Sequence, residues 1–111
     1  MQIQEALDLQ DSSWPQVLIM EDEASVAKGL GMVLSEEGYS VDLAMTGRSA
    51  LDSFNQKIFD LLVADLRLPD VNGMDVIKQV KEEKPETEVI VITGYGTAAF
   101  SAASAARMIG A

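Results

Sequence analysis

Asp60-Leu61-Leu62-Val63-Ala64-Asp65-Leu66-Arg67-Leu68-Pro69-Asp70-Val71-Asn72-Gly73 is an apolar run that closes on one carboxylate, with Pro69 four residues later and Gly73 eight residues later shaping the loop that follows. It reads as a buried strand that presents Asp65 at its carboxyl end, where open α/β sheets hold their ligands. A second run, Val17-Leu18-Ile19-Met20, ends in Glu21-Asp22-Glu23, and a third, Val89-Ile90-Val91-Ile92, ends in Thr93-Gly94. Two acidic strand ends and one hydroxyl strand end can converge on a single small acidic site.

Around these runs the chain alternates. Strands are expected over 17–20, 40–44, 61–65 and 89–93. Helices are expected over 24–37, with Val26, Leu30, Val33 and Leu34 on one face, over 48–55, burying Ala50, Leu51 and Phe54, and over 74–83, burying Ile77 and Val80. Gly38 stands where a helix C-cap is expected, Lys84-Pro85 ends the third helix, and the Ala-rich stretch 97–109 is expected to be helical. Strands separated by helices mean βαβ units, a parallel sheet and helices on both of its faces. Continuous rather than alternating apolar strands fit a sheet covered on both sides. Residues 1–15 read as an N-terminal extension and 16–111 as one domain.

Composition narrows the chemistry. The 111 residues contain no Cys and no His, which excludes disulfides, thiol nucleophiles, His-based zinc sites and Ser-His or Cys-His nucleophile systems. A formal net charge of −10 argues against direct nucleic-acid binding and favours divalent cations and basic partner surfaces. No apolar run reaches the ~18 residues of a membrane span and no secretory leader is visible, so the expected compartment is the cytoplasm.

Carboxylates gathered in one pocket repel one another unless a cation neutralises them. Oxygen ligands without nitrogen or sulfur select a hard ion such as Mg²⁺. Asp22 and Asp65 are the expected direct ligands, with Glu21 acting through water, and the ion would hold the oxygens of an incoming phosphoryl group. Asp65 is then the candidate nucleophile, forming an aspartyl phosphate. The Thr93 hydroxyl would hydrogen-bond the new group, and Gly94 would leave room for the donor. Each piece alone has a plainer reading: the acids after Met20 suit the start of a helix, and Asp65 suits a turn. Their joint placement at the ends of apolar strands is what points to a site.

The stretches 17–23, 60–69, 72–75 and 89–96 together resemble the receiver domain of two-component response regulators, over about residues 16–111. The resemblance implies a flavodoxin-like doubly wound sheet of strand order 2-1-3-4, continued by a fifth strand. It implies that Asp65 accepts a phosphoryl group from a His of a sensor histidine kinase or phosphotransfer protein. Mg²⁺ would be bound by Asp22, Asp65 and the backbone carbonyl of Arg67, with Glu21 as the outer acid. Thr93 would move toward the phosphoryl oxygens, and the side chains of Arg67 and Tyr95 would tune the lifetime of the phosphoryl group. Such a domain is a signalling module rather than an enzyme.

The sequence also departs from that pattern. The family's fifth strand, which carries an aromatic switch residue and ends in a Lys, and its fifth helix have no counterpart before Ala111. Lys28, Lys57, Lys78, Lys81 and Lys84 all fall on predicted helices or the turns that end them. The edge of the strand over 89–93 and the last helix are therefore the expected surface for an output domain or for self-association. Two readings remain: a phosphorylated switch, and a receiver-fold binding module that no longer switches. A metal-dependent hydrolase of this fold would need a further acid–base residue, and only Asp70 is spare.

Overall fold

The computed structural model of the chain describes residues 14–92. Four strands, β1 (Gln16–Met20), β2 (Ser40–Ala44), β3 (Leu61–Asp65) and β4 (Glu88–Ile92), alternate with α1 (Ala24–Glu36), α2 (Gly47–Gln56) and α3 (Gly73–Glu83). All are parallel and their order is β2-β1-β3-β4, the flavodoxin-like order that the resemblance implied. The expected helix over 97–109, Thr93, Gly94 and residues 1–13 lie outside the described residues. No helix among the described residues is long and apolar enough to cross a membrane.

Because side chains alternate across a strand, each buried strand feeds two cores. Leu18, Met20, Leu62, Ala64, Val89 and Val91 face one side, where Ala50 and Phe54 of α2 and Val76, Ile77 and Val80 of α3 cover them. Val17, Ile19 and Val63 face the other, where Ala27, Leu30 and Leu34 of α1 pack. Two-sided cover explains why β1 and β3 are apolar at successive positions.

β4 departs from this expectation. Its burial alternates, and Ile90 is 40 % exposed, because α1 packs over β1 and β2. On α1 the expected apolar face also shifts. Val33 is 59 % exposed and Ala27 is fully buried, so the seam runs Ala27, Leu30, Leu34 at the same three- and four-residue spacing.

Helix ends follow local chemistry. α1 stops at Glu36, one residue before the expected end, because Gly38 takes φ +98°. The Gly38 and Tyr39 N–H groups then bond the carbonyls of Ser35 and Leu34 at 3.1 Å each, and Tyr39 packs with Leu34 in the same core. This is a Schellman closure. α2 is one residue longer at each end than expected. Thr46 caps it in a reciprocal capping box with Ser49, a Thr-x-x-Ser pattern that satisfies otherwise orphan N–H groups. α3 starts at Gly73 behind Asn72, whose side chain accepts from the Met74 N–H at 2.9 Å.

At the amino end of the sheet, Asp60 ties three strands. Its carboxylate accepts from the Gln16 N–H at 2.7 Å, and its backbone bonds both Gln16 and Glu88. Pro15 already accepts from the Ser40 N–H at 2.9 Å, which ties the chain to the sheet from that residue on.

Candidate functional site

All four strands point their carboxyl ends the same way, so β1 and β3 deliver their terminal acids to one place. Met20 pairs with Ala64, and the next residues, Glu21 and Asp65, stand side by side at the strand ends. The Glu21 N–H donates to the Ala44 carbonyl at 2.9 Å, which fixes the residue beyond the formal end of β1. Carboxylate oxygens of Glu21, Asp22 and Asp65 all lie within 4.8 Å of one another. Glu21 and Asp65 are 2 % and 4 % exposed, while Asp22 faces solvent.

The two buried acids differ in their support. Asp65 Oδ1 accepts from the Arg67 N–H at 3.0 Å. Glu21 Oε2 accepts from the Glu23 N–H at 3.0 Å, but its Oε1 is buried with no hydrogen-bond partner. Burial, offset in part by the Glu23 N–H, and then the neighbouring Asp65 carboxylate push the Glu21 carboxyl up to about 7. An orphaned oxygen beside two other carboxylates is the electrostatic signature of a site short of positive charge. The donor set is oxygen alone, which fits a hard divalent cation such as Mg²⁺ and not zinc or copper. The acidic group could hold such a metal.

The loop after Asp65 is tightly held. Arg67 and Asn72 form an antiparallel bridge, and the Gly73 N–H donates to the Leu66 carbonyl at 3.1 Å. A Cβ on Gly73 would lie 2.6 Å from the Asp65 carbonyl oxygen and 2.7 Å from Leu66 Cα. Gly73 therefore does more than shape a loop. It is the buried first residue of α3, and only its missing side chain lets the helix approach the end of β3. Its φ is not positive, so the requirement is steric and not conformational. Pro69 is exposed at the loop tip.

Asp70 is not spare. Its two carboxylate oxygens accept from the Gly47 and Arg48 N–H groups at 3.0 Å each. The Arg48 and Gly47 N–H groups hold its carboxyl below the usual carboxylate range. A residue of the β3–α3 loop thus caps α2, and its oxygens are committed to that task. Nothing local in the sequence announces this, since the partners stand 22 and 23 residues away.

The structure brings Glu21, Asp22, Asp65 and the Arg67 backbone together. Thr93 and Gly94, expected at the same edge, lie outside the described residues, whose last member, Ile92, pairs with Asp65.

Comparison with known proteins gives a consistent picture. The family model described as the response regulator receiver domain matches residues 17–111. The luminescence regulatory protein LuxO of Vibrio campbellii is 42 % identical over 79 residues, covering 71 % of this chain and 17 % of that protein. The chain thus spans about a sixth of that relative's length. Among solved structures, response regulator protein TrrA from Thermotoga maritima, in complex with Mg(2+)-BeF, superposes with a TM-score of 0.70 at 29 % identity, covering 83 % of this chain and 80 % of that one. A CheY-like receiver domain protein from Methanospirillum hungatei gives a TM-score of 0.75 at 26 % identity, covering 89 % and 78 %.

Proposed function

The chain belongs to the response regulator receiver domain family of two-component systems, and from that premise we propose that it is a phosphoryl-accepting switch with Asp65 as the phosphoacceptor. The observation that carries the reading is the convergence of Glu21, Asp22 and Asp65 within 4.8 Å, with one buried Glu21 oxygen left unpartnered. The relative solved with Mg(2+)-BeF supports the choice of ion.

Asp22, Asp65 and the Arg67 carbonyl would hold Mg²⁺, with Glu21 reaching it through water. When bound, the ion neutralises the acids and screens the charge of the incoming phosphoryl oxygens. Asp65 then supplies the nucleophile. One of its oxygens bonds phosphorus as the P–N bond of a phosphohistidine breaks, and the electron pair stays with the donor's ring nitrogen. The Arg67 N–H, already bonded to Asp65 Oδ1, orients that carboxylate. Thr93 would donate its hydroxyl to the phosphoryl group, and Gly94 would leave the donor room. Pro69 and Gly73 shape and pack the loop.

The partner is a sensor histidine kinase or phosphotransfer protein in the cytoplasm. The output is a surface beside β4 and the stretch 97–109 that engages an output domain or a second copy. The chain's net charge of −10 disfavours direct binding to nucleic acid. Phosphorylation adds up to about two negative charges to an already acidic pocket, and compensating them biases a two-state surface.

The test is the intact mass of the chain before and after incubation with Mg²⁺ and acetyl phosphate, beside Asp65→Asn and Asp75→Asn. Asp75 is an exposed first-turn residue of α3. One added phosphoryl group in the wild type and in Asp75→Asn, but not in Asp65→Asn, is the expected result. No addition to the folded wild type would turn the reading into that of a binding module that does not switch.

A further inference from the structure

The β3–α3 loop is held at two places. Its base is closed by the Arg67–Asn72 bridge and by the Gly73–Leu66 bond. Its tip is fastened to a different element altogether. Asp70 accepts from two successive N–H groups at the start of α2. Gly47 sits so close beneath the tip that a Cβ there would lie 2.2 Å from Val71 Cγ2 and 3.1 Å from Val76 Cγ2. A glycine and a forked acceptor together dock the loop against the helix. Arg67, three residues before Asp70, is the residue whose carbonyl the proposed function gives to Mg²⁺, and its N–H holds Asp65.

We propose that Asp70 is a positioning residue for the metal site. By anchoring the loop tip to the α2 N-terminus it fixes where the Arg67 peptide points, and so sets the affinity for Mg²⁺ and the readiness of Asp65. Charge-assisted bonds from a carboxylate to two N–H groups are stronger and more directional than neutral ones. Cutting them frees the tip and leaves the Arg67–Asn72 bridge and the Gly73–Leu66 bond to hold the Arg67 peptide without that anchor. The inference deepens the phosphoacceptor reading and rests on it.

A control separates positioning from mere support of α2. Thr46 caps the same helix end, accepting from the Ser49 N–H at 3.0 Å, yet lies on the β2 side and does not reach the loop tip through that bond. Thr46→Ala and Asp70→Ala should both weaken the α2 N-terminus and lower the melting temperature. Asp70→Ala alone should weaken Mg²⁺ binding, by about tenfold, the lower end of what outer partners of metal ligands cost.

The experiment is calorimetric titration of the unphosphorylated chain with Mg²⁺ for wild type, Asp70→Ala, Asp70→Asn and Thr46→Ala. The Mg²⁺ concentration that half-saturates labelling by acetyl phosphate is measured alongside. Asp70→Asn keeps one acceptor oxygen and should fall between wild type and Asp70→Ala in affinity. It also carries the test if Asp70→Ala does not fold. Unchanged Mg²⁺ affinity in the Asp70 variants, or equal weakening in Thr46→Ala, overturns the inference while leaving the phosphoacceptor reading standing. A wild-type chain that binds no Mg²⁺ overturns both.

Discussion

Glu21, just past the end of β1, and Asp65, at the end of the adjacent parallel β3, are both buried and bring carboxylate oxygens within 4.8 Å of each other. Burial and that neighbour raise the Glu21 carboxyl from 4.5 to about 7.

The first prediction follows from the sign of that shift. An acid whose folded pKa lies above its unfolded one favours the folded state when protonated. This contribution is complete below pH 4.5 and is lost as pH rises to about 7. At about 1.4 kcal/mol per unit, the loss is on the order of 3 kcal/mol. Glu21→Gln should therefore melt higher than wild type at pH 8 and near it at pH 4.5. Added Mg²⁺ should raise the wild-type melting temperature at pH 8, by binding the folded state alone, and do much less for the variant. Mg²⁺ affinity should fall as pH drops from 8 to 6, because protons compete for the same oxygens. Differential scanning fluorimetry across pH, with and without Mg²⁺, reads both effects. A Glu21→Gln melting difference that is flat with pH would contradict the assignment.

Much of this site was legible before any coordinates. Continuous apolar runs marked β1 and β3, and their terminal acids stood out together, since Glu21-Asp22 alone also suits a helix start and Asp65 alone a turn. Gly38 announced the end of α1 through its backbone freedom. Less visible was anything that depends on packing across the chain. Val33 satisfied a helical spacing that Ala27 satisfied better, and only the sheet decides which face is buried. Thr46 and Ser49 carried a readable cap that the expected start at residue 48 overlooked. Asp70 and Gly47 carry no mutual signal along the chain, and the unpartnered Glu21 oxygen exists only because the strand end is covered.

Gly73 gives the second prediction. A methyl at this position meets backbone, the Asp65 carbonyl oxygen at 2.6 Å and Leu66 Cα at 2.7 Å, and backbone cannot swing aside as a side chain can. Gly73→Ala should cost about 3 kcal/mol, the upper end of ordinary overpacking, and should reduce labelling of Asp65 because α3 is levered off the strand end. Gly29 offers the contrast. It is exposed within α1, and a Cβ there meets nothing within 4 Å. Gly29→Ala should stabilise the fold by roughly 0.5–1 kcal/mol. Urea unfolding of the two variants should move in opposite directions, and a shared direction would show that the glycines are not distinguished by space.

Thr87 supplies a prediction that separates stability from the site. Its buried hydroxyl donates to the Phe59 carbonyl at 2.8 Å, while Lys81 reaches over to the carbonyls of Pro85 and Thr87 at 2.8 Å each. The first bond ties the turn before β4 to the turn before β3, and the Lys81 bonds tie it to α3. Thr87→Val keeps the shape but leaves the Phe59 carbonyl buried without that donor, which costs about 1–3 kcal/mol. Thr87 stands just before the amino end of β4 and Asp65 at the carboxyl end of β3, separated by roughly 16 Å of strand at about 3.3 Å per residue. Over that distance no carboxylate of the site changes its neighbours. The variant should therefore unfold at lower urea yet bind Mg²⁺ with wild-type affinity at low temperature, where both chains are folded. Weakened Mg²⁺ binding in fully folded Thr87→Val would show that the two ends of the sheet are coupled, and that the site depends on more than the strand ends that compose it.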